Sequence, residues 1–292
     1  MTFLLRFALT LLISLGALLL HAQTPTDITA QLTFTTIDVP GAGYTGVFGI
    51  NSTGDMVGNY GQDTNVDSHG FLYSNGTFTY FDYPGQTFTV PGGINDSGLI
   101  VGYAGRNPVI GFLYDGATFT KIQHGNDSAT PALGLNNAGE VVGGTGTIYT
   151  TKAFDLRNGR YRIINFPGSY VYAYANGINN VGEIVGYTIN GSYQDGYAVK
   201  NRRFRKVDFP GATITQARGL NDSGVIVGWY NLGSTDFAFA LMNGKYISFS
   251  YPGARGTFAS GINVSGQIVG EYTFDFNTYH GFVTSPITAA DF

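Results

Sequence analysis

Gly49-Ile50-Asn51-Ser52-Thr53-Gly54-Asp55-Met56-Val57-Gly58 is the stretch that decides the fold. An apolar residue entering Asn-x-x-Gly reads as a strand end running into a tight hairpin. Asn bonds its own backbone there, and Gly takes positive φ without steric cost. Val57-Gly58 opens the return strand. The triplet then recurs at Gly93-Ile94-Asn95, Gly134-Leu135-Asn136, Gly177-Ile178-Asn179, Gly219-Leu220-Asn221 and Gly261-Ile262-Asn263, with Asn-to-Asn steps of 44, 41, 43, 42 and 42 residues. In every copy a Gly follows the Asn by three residues, and Val-Gly follows that Gly, ending with Val269-Gly270.

Outward from this hairpin, each copy reads as four short strands. The third carries an aromatic after a small residue, as in Gly70-Phe71, Gly111-Phe112, Ala153-Phe154 and Gly281-Phe282. A second turn follows at Asn75-Gly76, Asp115-Gly116, Asn158-Gly159 and Asn243-Gly244, and the fourth strand ends in turns such as Asp82-Tyr83-Pro84-Gly85. No window has a helical period. Four strands in about 42 residues is the size of a propeller blade. The last copy stops after its third strand, while an orphan fourth strand, Phe34-Thr35-Thr36-Ile37-Asp38-Val39, precedes the first triplet. The expectation is an all-β, six-bladed β-propeller whose last blade is closed by the N-terminal strand. Residues 33–39 should pair with residues 280–284, burying Phe34 and Ile37 and removing an open edge. The tail over residues 286–292 should be dispensable.

Gly-Ile-Asn, Asn-x-x-Gly, Ile-Val-Gly and His-Gly-Phe, the last at His69-Gly70-Phe71 and His280-Gly281-Phe282, resemble the HAF-repeat family of extracellular bacterial proteins over residues 33–285. The resemblance implies an exported repeat protein and carries no activity or site residue with it. This chain has Gly where the family name has Ala, and its middle copies lack the His.

Composition agrees with tight turns joined by well-packed strands: 43 Gly, 20 Tyr and 22 Phe against only 12% charged residues. The net charge of -4 gives no footprint for nucleic acid. Arg6 followed by the apolar stretch from Phe7 to Leu20 and by Ala22 reads as an export signal over residues 1–22. Residues 23–292 then form one domain without a membrane span, located outside the cell or in the periplasm. Cysteine is absent, so no disulfide contributes.

No catalytic constellation stands out. Gly41-x-Gly43-x-x-Gly46 precedes a strand, not a helix, so a phosphate would meet no cluster of amide donors. Asp63, Asn65 and Asp67 have the oxygen spacing that opens a Ca²⁺ loop, but Ser68 and Ser74 stand where Gly and Glu belong, so a solvated loop is the better reading and no cofactor is expected. His69 and His280 occupy matching slots, and Lys200, Arg202, Arg203, Arg205 and Lys206 crowd one hairpin; both read as structural or solvated. The acceptors before Pro-Gly, Asp38, Asp82, Asn165 and Asp208 among them, read as turn caps.

The two faces of such a propeller differ in sequence. One carries uniform Asn-x-x-Gly and Asn-Gly turns; the other carries loops of varying length rich in aromatics. Divergent loops on a rigid scaffold are where binding resides. The expected ligand-binding residues are Tyr60, Tyr103, Tyr187, Trp229, Tyr230 and Tyr272 on that face, with Tyr174, Asn176 and Arg218 from the inner strands. Aromatics with few charges suit a glycan or a protein surface. The leading expectation is a non-catalytic binding module. The alternatives are an enzyme acting on polysaccharide or glycosides through Asp63, Asp67, Asp195, Asp236 or Asp275, and a structural surface protein without a concave aromatic pocket.

Overall fold

A computed structural model describes residues 25–147, 149–168 and 170–292. The expected export signal lies outside these residues. Among them, no helix is long and apolar enough to cross a membrane.

The chain folds as four-stranded antiparallel units, one per sequence repeat, in the architecture of a β-propeller. The first unit runs Tyr44–Ile50, Met56–Gly61, His69–Ser74 and Thr77–Phe81, each strand pairing with the next. The fifth repeats this with Ile214–Leu220, Ile226–Leu232, Thr235–Met242 and Lys245–Phe249. The last copy supplies three strands, Gly256–Ile262, Ile268–Thr273 and His280–Thr284. Its fourth is Phe34–Ile37, antiparallel to His280–Thr284 with Phe34 opposite Thr284 and Ile37 opposite Gly281. Ile37 is buried, and half-buried Phe34 packs on Phe249, Tyr251 and Phe282.

Two local rules build each unit. The aromatic expected in the third strand is its core: Phe71, Phe112, Phe154, Tyr197, Phe239 and Phe282 are all buried. The triplet glycine permits close packing of neighbouring inner strands. A Cβ on Gly49 would lie 2.8 Å from Gly93 Cα, and one on Gly261 2.9 Å from Phe48 O.

The hairpin Asn does more than cap its turn. Asn51 Oδ1 accepts from the Thr53 and Asp55 amides, at 3.1 and 2.9 Å. Its Nδ2 donates to the carbonyl of Asn95 in the next unit, and the relay continues from Asn95 to Asn136, Asn179, Asn221 and Asn263. Asn263 Nδ2 donates to Asn51 O at 3.2 Å. Each such bond contributes about 0.5–1.5 kcal/mol net.

Both ends of the described chain pack against the last two units. Thr26–Asp27 adds a short parallel strand beside Lys245–Phe249, and Ile28 is 1% exposed. The tail expected to be dispensable packs into the molecule: Ile287 is 5% exposed within the same core cluster, and its amide donates to Gly266 O at 2.9 Å.

Candidate functional site: the divergent mouth of the axial channel

Each inner strand carries a β-bulge one residue before its triplet glycine, as between Val47 and Gly49 or Ala217 and Gly219. A bulge re-aims the side chain it carries. Here the bulged residues are Phe48, Gly92, Leu133, Asn176, Arg218 and Ser260, and all six line a narrow channel with the Gly-Ile/Leu pairs that follow them. The Asn turns form one mouth of this channel.

Toward the other mouth the channel widens into a cavity of about 120 Å³ lined by Phe48, Val90, Pro91, Gly92, Tyr103, Leu133, Asn176, Arg218 and Ser260. Opposed residues of the first and second strands share a sheet face. Tyr174 faces Tyr187, Gln216 faces Trp229, and Phe258 faces Glu271. The Tyr174 and Tyr187 rings lie 5.5 Å apart, and the Arg218 guanidinium sits 5.4 Å from the Tyr187 ring centroid. Trp229 Nε1 donates to Gln216 Oε1 at 3.1 Å, and the Trp229 ring meets Phe258 edge-on at 5.2 Å.

The structure thus brings together Tyr103, Tyr174, Asn176, Tyr187 and Arg218, while Trp229 sits against Gln216 and Phe258. Three other expected residues are elsewhere. Tyr230 is 4% exposed, stacked 3.5 Å from Phe209 with its hydroxyl 2.7 Å from Ser248 Oγ. Tyr272 is equally buried, stacked 3.5 Å from Tyr251. Tyr60 packs on His69 and Tyr80. The reason is the two-residue period of a strand. The first residue after Val-Gly points to the next unit's inner strand, as Tyr187 at Arg218, Trp229 at Phe258 and Glu271 at Gly46; the second points to the opposite sheet face. Tyr60, Tyr230 and Tyr272 are second residues.

Glu271 was missed, although it holds the same slot as Tyr103, Tyr187 and Trp229, so the repeat alignment contained the signal. Its Oε2 lies 2.6 Å from where a Gly46 Cβ would be, beside Phe48 and Asn59. It makes no ion pair among the described residues. Burial pushes its carboxyl up to about 7, against the opposing pull of Arg218. Burial likewise pushes Tyr103 up to about 12, again opposed by Arg218. Arg218 Nε and Asn176 Oδ1 are buried polar atoms without a hydrogen-bond partner.

The loop carboxylates are occupied locally. Asp63 Oδ1 accepts from the Asn65 amide, and Asp67 Oδ1 from the Gln62 amide. Asp275 Oδ1 accepts from the amides of Asn277 and Thr278. Asp195 pairs with Lys206, and Asp236 with Asn231. Among the described residues, no group of three His, Cys, Asp or Glu could hold a metal. His69 and His280 each bond an acceptor of their own unit's turn, Asp82 and Asp38, at 2.8 Å. In the basic hairpin, Arg205 pairs with Glu183, and Lys206 with Asp195 and Asp208.

No protein-family model matches the chain, and no curated protein matches it. Solved structures do. The X-ray structure of a protein provisionally named a gluconolactonase has a TM-score of 0.53 at 13% identity, covering 88% of this chain and 93% of its own. The Aleuria aurantia lectin scores 0.48 at 12% identity, covering 89% and 93%. The β-propeller domain of a trilobed protease from Pyrococcus furiosus scores 0.46 at 9% identity, covering 82% and 80%. At these identities the likeness of the first concerns the fold alone, and the other two carry no further argument.

Proposed function

We propose that the protein is an exported, six-bladed β-propeller, closed by its N-terminal strand, that acts as a non-catalytic binding module. Its ligand, a glycan or a protein, docks at the divergent mouth of the channel. Three features support closure: the pairing of Phe34–Ile37 with His280–Thr284, the bond from Asn263 to Asn51, and the contact of Gly261 with Phe48. Export rests on the apolar N-terminal stretch and the HAF-repeat resemblance.

The observation that carries the binding reading is the contrast in polar satisfaction along one channel. At the Asn mouth the side-chain amides are spent on the neighbouring units. At the other mouth Arg218 Nε and Asn176 Oδ1 lack partners beside a cavity that Phe48, Val90, Leu133 and Tyr103 also line. Buried polar groups are ordinarily satisfied, so such atoms mark where water or a ligand bonds. A purely structural protein has no use for a concavity with unpaired polar groups. A glycan-array screen with pull-down tests the proposal. Binding should be lost in Trp229→Ala and kept when the exposed hairpin residue Arg203 is changed to Ala. Binding that maps to the Asn turns sinks the assignment.

A further inference from the structure

A second site lies outside the channel. We propose that the groove between the third and fourth units binds a single-chain amphipathic oxyanion, of which a fatty carboxylate is the simplest. Its head sits on Arg202 and Arg162, and its chain lies against Ile164, Ile184, Val199 and Phe204.

The groove exists because two slots of the repeat are filled differently here. Each unit meets the next through its fourth strand and the neighbour's third. Between the first two units these slots hold Phe81 and Tyr114, whose rings stack 4.8 Å apart. Between the third and fourth they hold Ile164, at the end of strand Arg160–Ile163, and Val199, in strand Tyr193–Lys200. The register shows the match: Tyr114 lies opposite Ile100 as Val199 lies opposite Ile184. The smaller aliphatic pair leaves a groove of about 500 Å³, within the roughly 300–1,000 Å³ of an ordinary ligand pocket. Ile164, Ile184 and Val199 are buried in its floor.

Its polar lining is two guanidinium groups and the amides of Asn165 and Asn201, with no carboxylate. Residues 157–206 hold eight of the chain's 15 Lys and Arg but only two of its 19 Asp and Glu, so an otherwise acidic protein is locally basic. Arg162 Nη2 bonds Asp155, which leaves other N–H groups of its fork free. The Arg202 side chain makes no ion pair or hydrogen bond among the described residues. Its backbone is strained, with φ at 63° where the matching turns carry Gly76, Gly159 and Gly244. A strained arginine in a glycine slot, at the rim of a groove, serves the groove and not the turn. Guanidinium matches an oxyanion in geometry and charge. The aliphatic floor calls for an apolar body that a bare inorganic anion lacks. At about 30 Å³ for a water-sized group such as a methylene, the groove holds at most about sixteen, so one chain of roughly eight to twelve carbons fits and a two-chain lipid does not.

The test titrates the protein calorimetrically with octanoate, 1-octanol, acetate and a hexaglutamate peptide, and floats it with phosphatidylglycerol vesicles. Octanoate should bind at least about tenfold more tightly than 1-octanol or acetate, and affinity should rise by up to about fourfold for each methylene from hexanoate to decanoate. Arg202→Gly gives the turn the residue of its counterparts. It should melt no lower than the wild type while losing the preference for octanoate over 1-octanol. Val199→Tyr supplies the ring of Tyr114 and should weaken both ligands alike. Trp229→Ala, at the channel mouth, should leave octanoate binding as it is, so this inference and the proposed function fail separately. Equal binding of octanoate and 1-octanol overturns the inference, as does affinity indifferent to chain length or to Arg202→Gly. Tighter binding of hexaglutamate, or vesicle capture that octanoate does not displace, assigns the groove to an acidic peptide or a membrane surface and overturns it as well.

Discussion

The two mouths of the channel are made by the same six inner strands, yet one is nearly identical from unit to unit and the other never repeats. At the Asn mouth, each side chain caps its own hairpin with Oδ1 and bonds the next unit with Nδ2. A residue with two structural tasks tolerates no substitute, which explains the constancy. At the other mouth, the bulge slot holds Phe48, Gly92, Leu133, Asn176, Arg218 and Ser260, six chemically different residues. Except at Gly92, where a Cβ would lie 2.5 Å from Leu133 O, that slot accepts varied side chains and is free for recognition. Repetition marks the residues that hold the molecule together, and divergence on the same strand marks those available to a ligand.

The severest way to break the comparison is to open the proposed ring. Deleting residues 25–40 removes the fourth strand of the last unit and the buried side chains of Ile28, Ile37 and Val39. Each apolar side chain is worth about 1.5–3 kcal/mol, a loss comparable to the roughly 5–15 kcal/mol of a whole domain. The truncated protein should aggregate through the bared edge of His280–Thr284. A melting curve like that of the intact chain would refute closure. Deleting residues 286–292 should cost less, but still about 1.5–3 kcal/mol, because Ile287 is buried.

The alternation of the second strand gives a sharper cut between neighbours. Tyr230→Ala empties a stacked, hydrogen-bonded site between units and should cost about 3–5 kcal/mol. Trp229→Ala, one residue earlier, alters the opposite sheet face, beside Phe258, and should cost about 1 kcal/mol while abolishing binding. Thermal melts and a binding assay on both variants check the pair. Equal destabilisation would mean that Trp229 is core and that the mouth has been misplaced.

A finer measure compares equivalent positions around the channel. Asn136→Ala and Asn263→Ala each remove a turn cap and a bond between units, and each should cost about 1–3 kcal/mol. A ring has no first or last member, so the two values should agree. Asn263→Ala costing clearly less, by urea denaturation, would indicate an array that is open between its last and first units.

Much of this was legible in the sequence because the repeat wrote the fold down six times. Triplet, hairpin and third-strand aromatic were placed correctly, and the orphan strand before Gly41 pairs where arithmetic put it. The Asn was read as a turn residue; its bond to the next unit could not be, since no pattern within one copy shows what lies beside it in the neighbouring copy. The site was half legible. Tyr103, Tyr187 and Trp229 were chosen as aromatics near a loop, and so were Tyr60, Tyr230 and Tyr272. Counting from Val-Gly separates the two sets and adds Glu271. Asn176 and Arg218 stand out in sequence as polar residues next to a constant glycine, but their lack of partners is visible only in three dimensions.

The smallest effect bears on Glu271. An unfolded glutamate titrates near 4.5, whereas burial raises this one to about 7 in the folded protein. Between those values the folded state holds more protons than the unfolded state, so stability falls as pH rises; above 7 both states are ionised and the loss is complete. Below 4.5 both are protonated and the burial of a charge costs nothing. Glu271→Gln removes the titration and keeps the shape. The melting temperature of the variant relative to the wild type should therefore climb from pH 4.5 to pH 7 and level off beyond it, at about 2–4 °C for each kcal/mol relieved in a protein of this size. Differential scanning at four or five pH values reads this directly. If the difference stays flat, or falls with pH, Glu271 is ionised and favourably held at neutral pH.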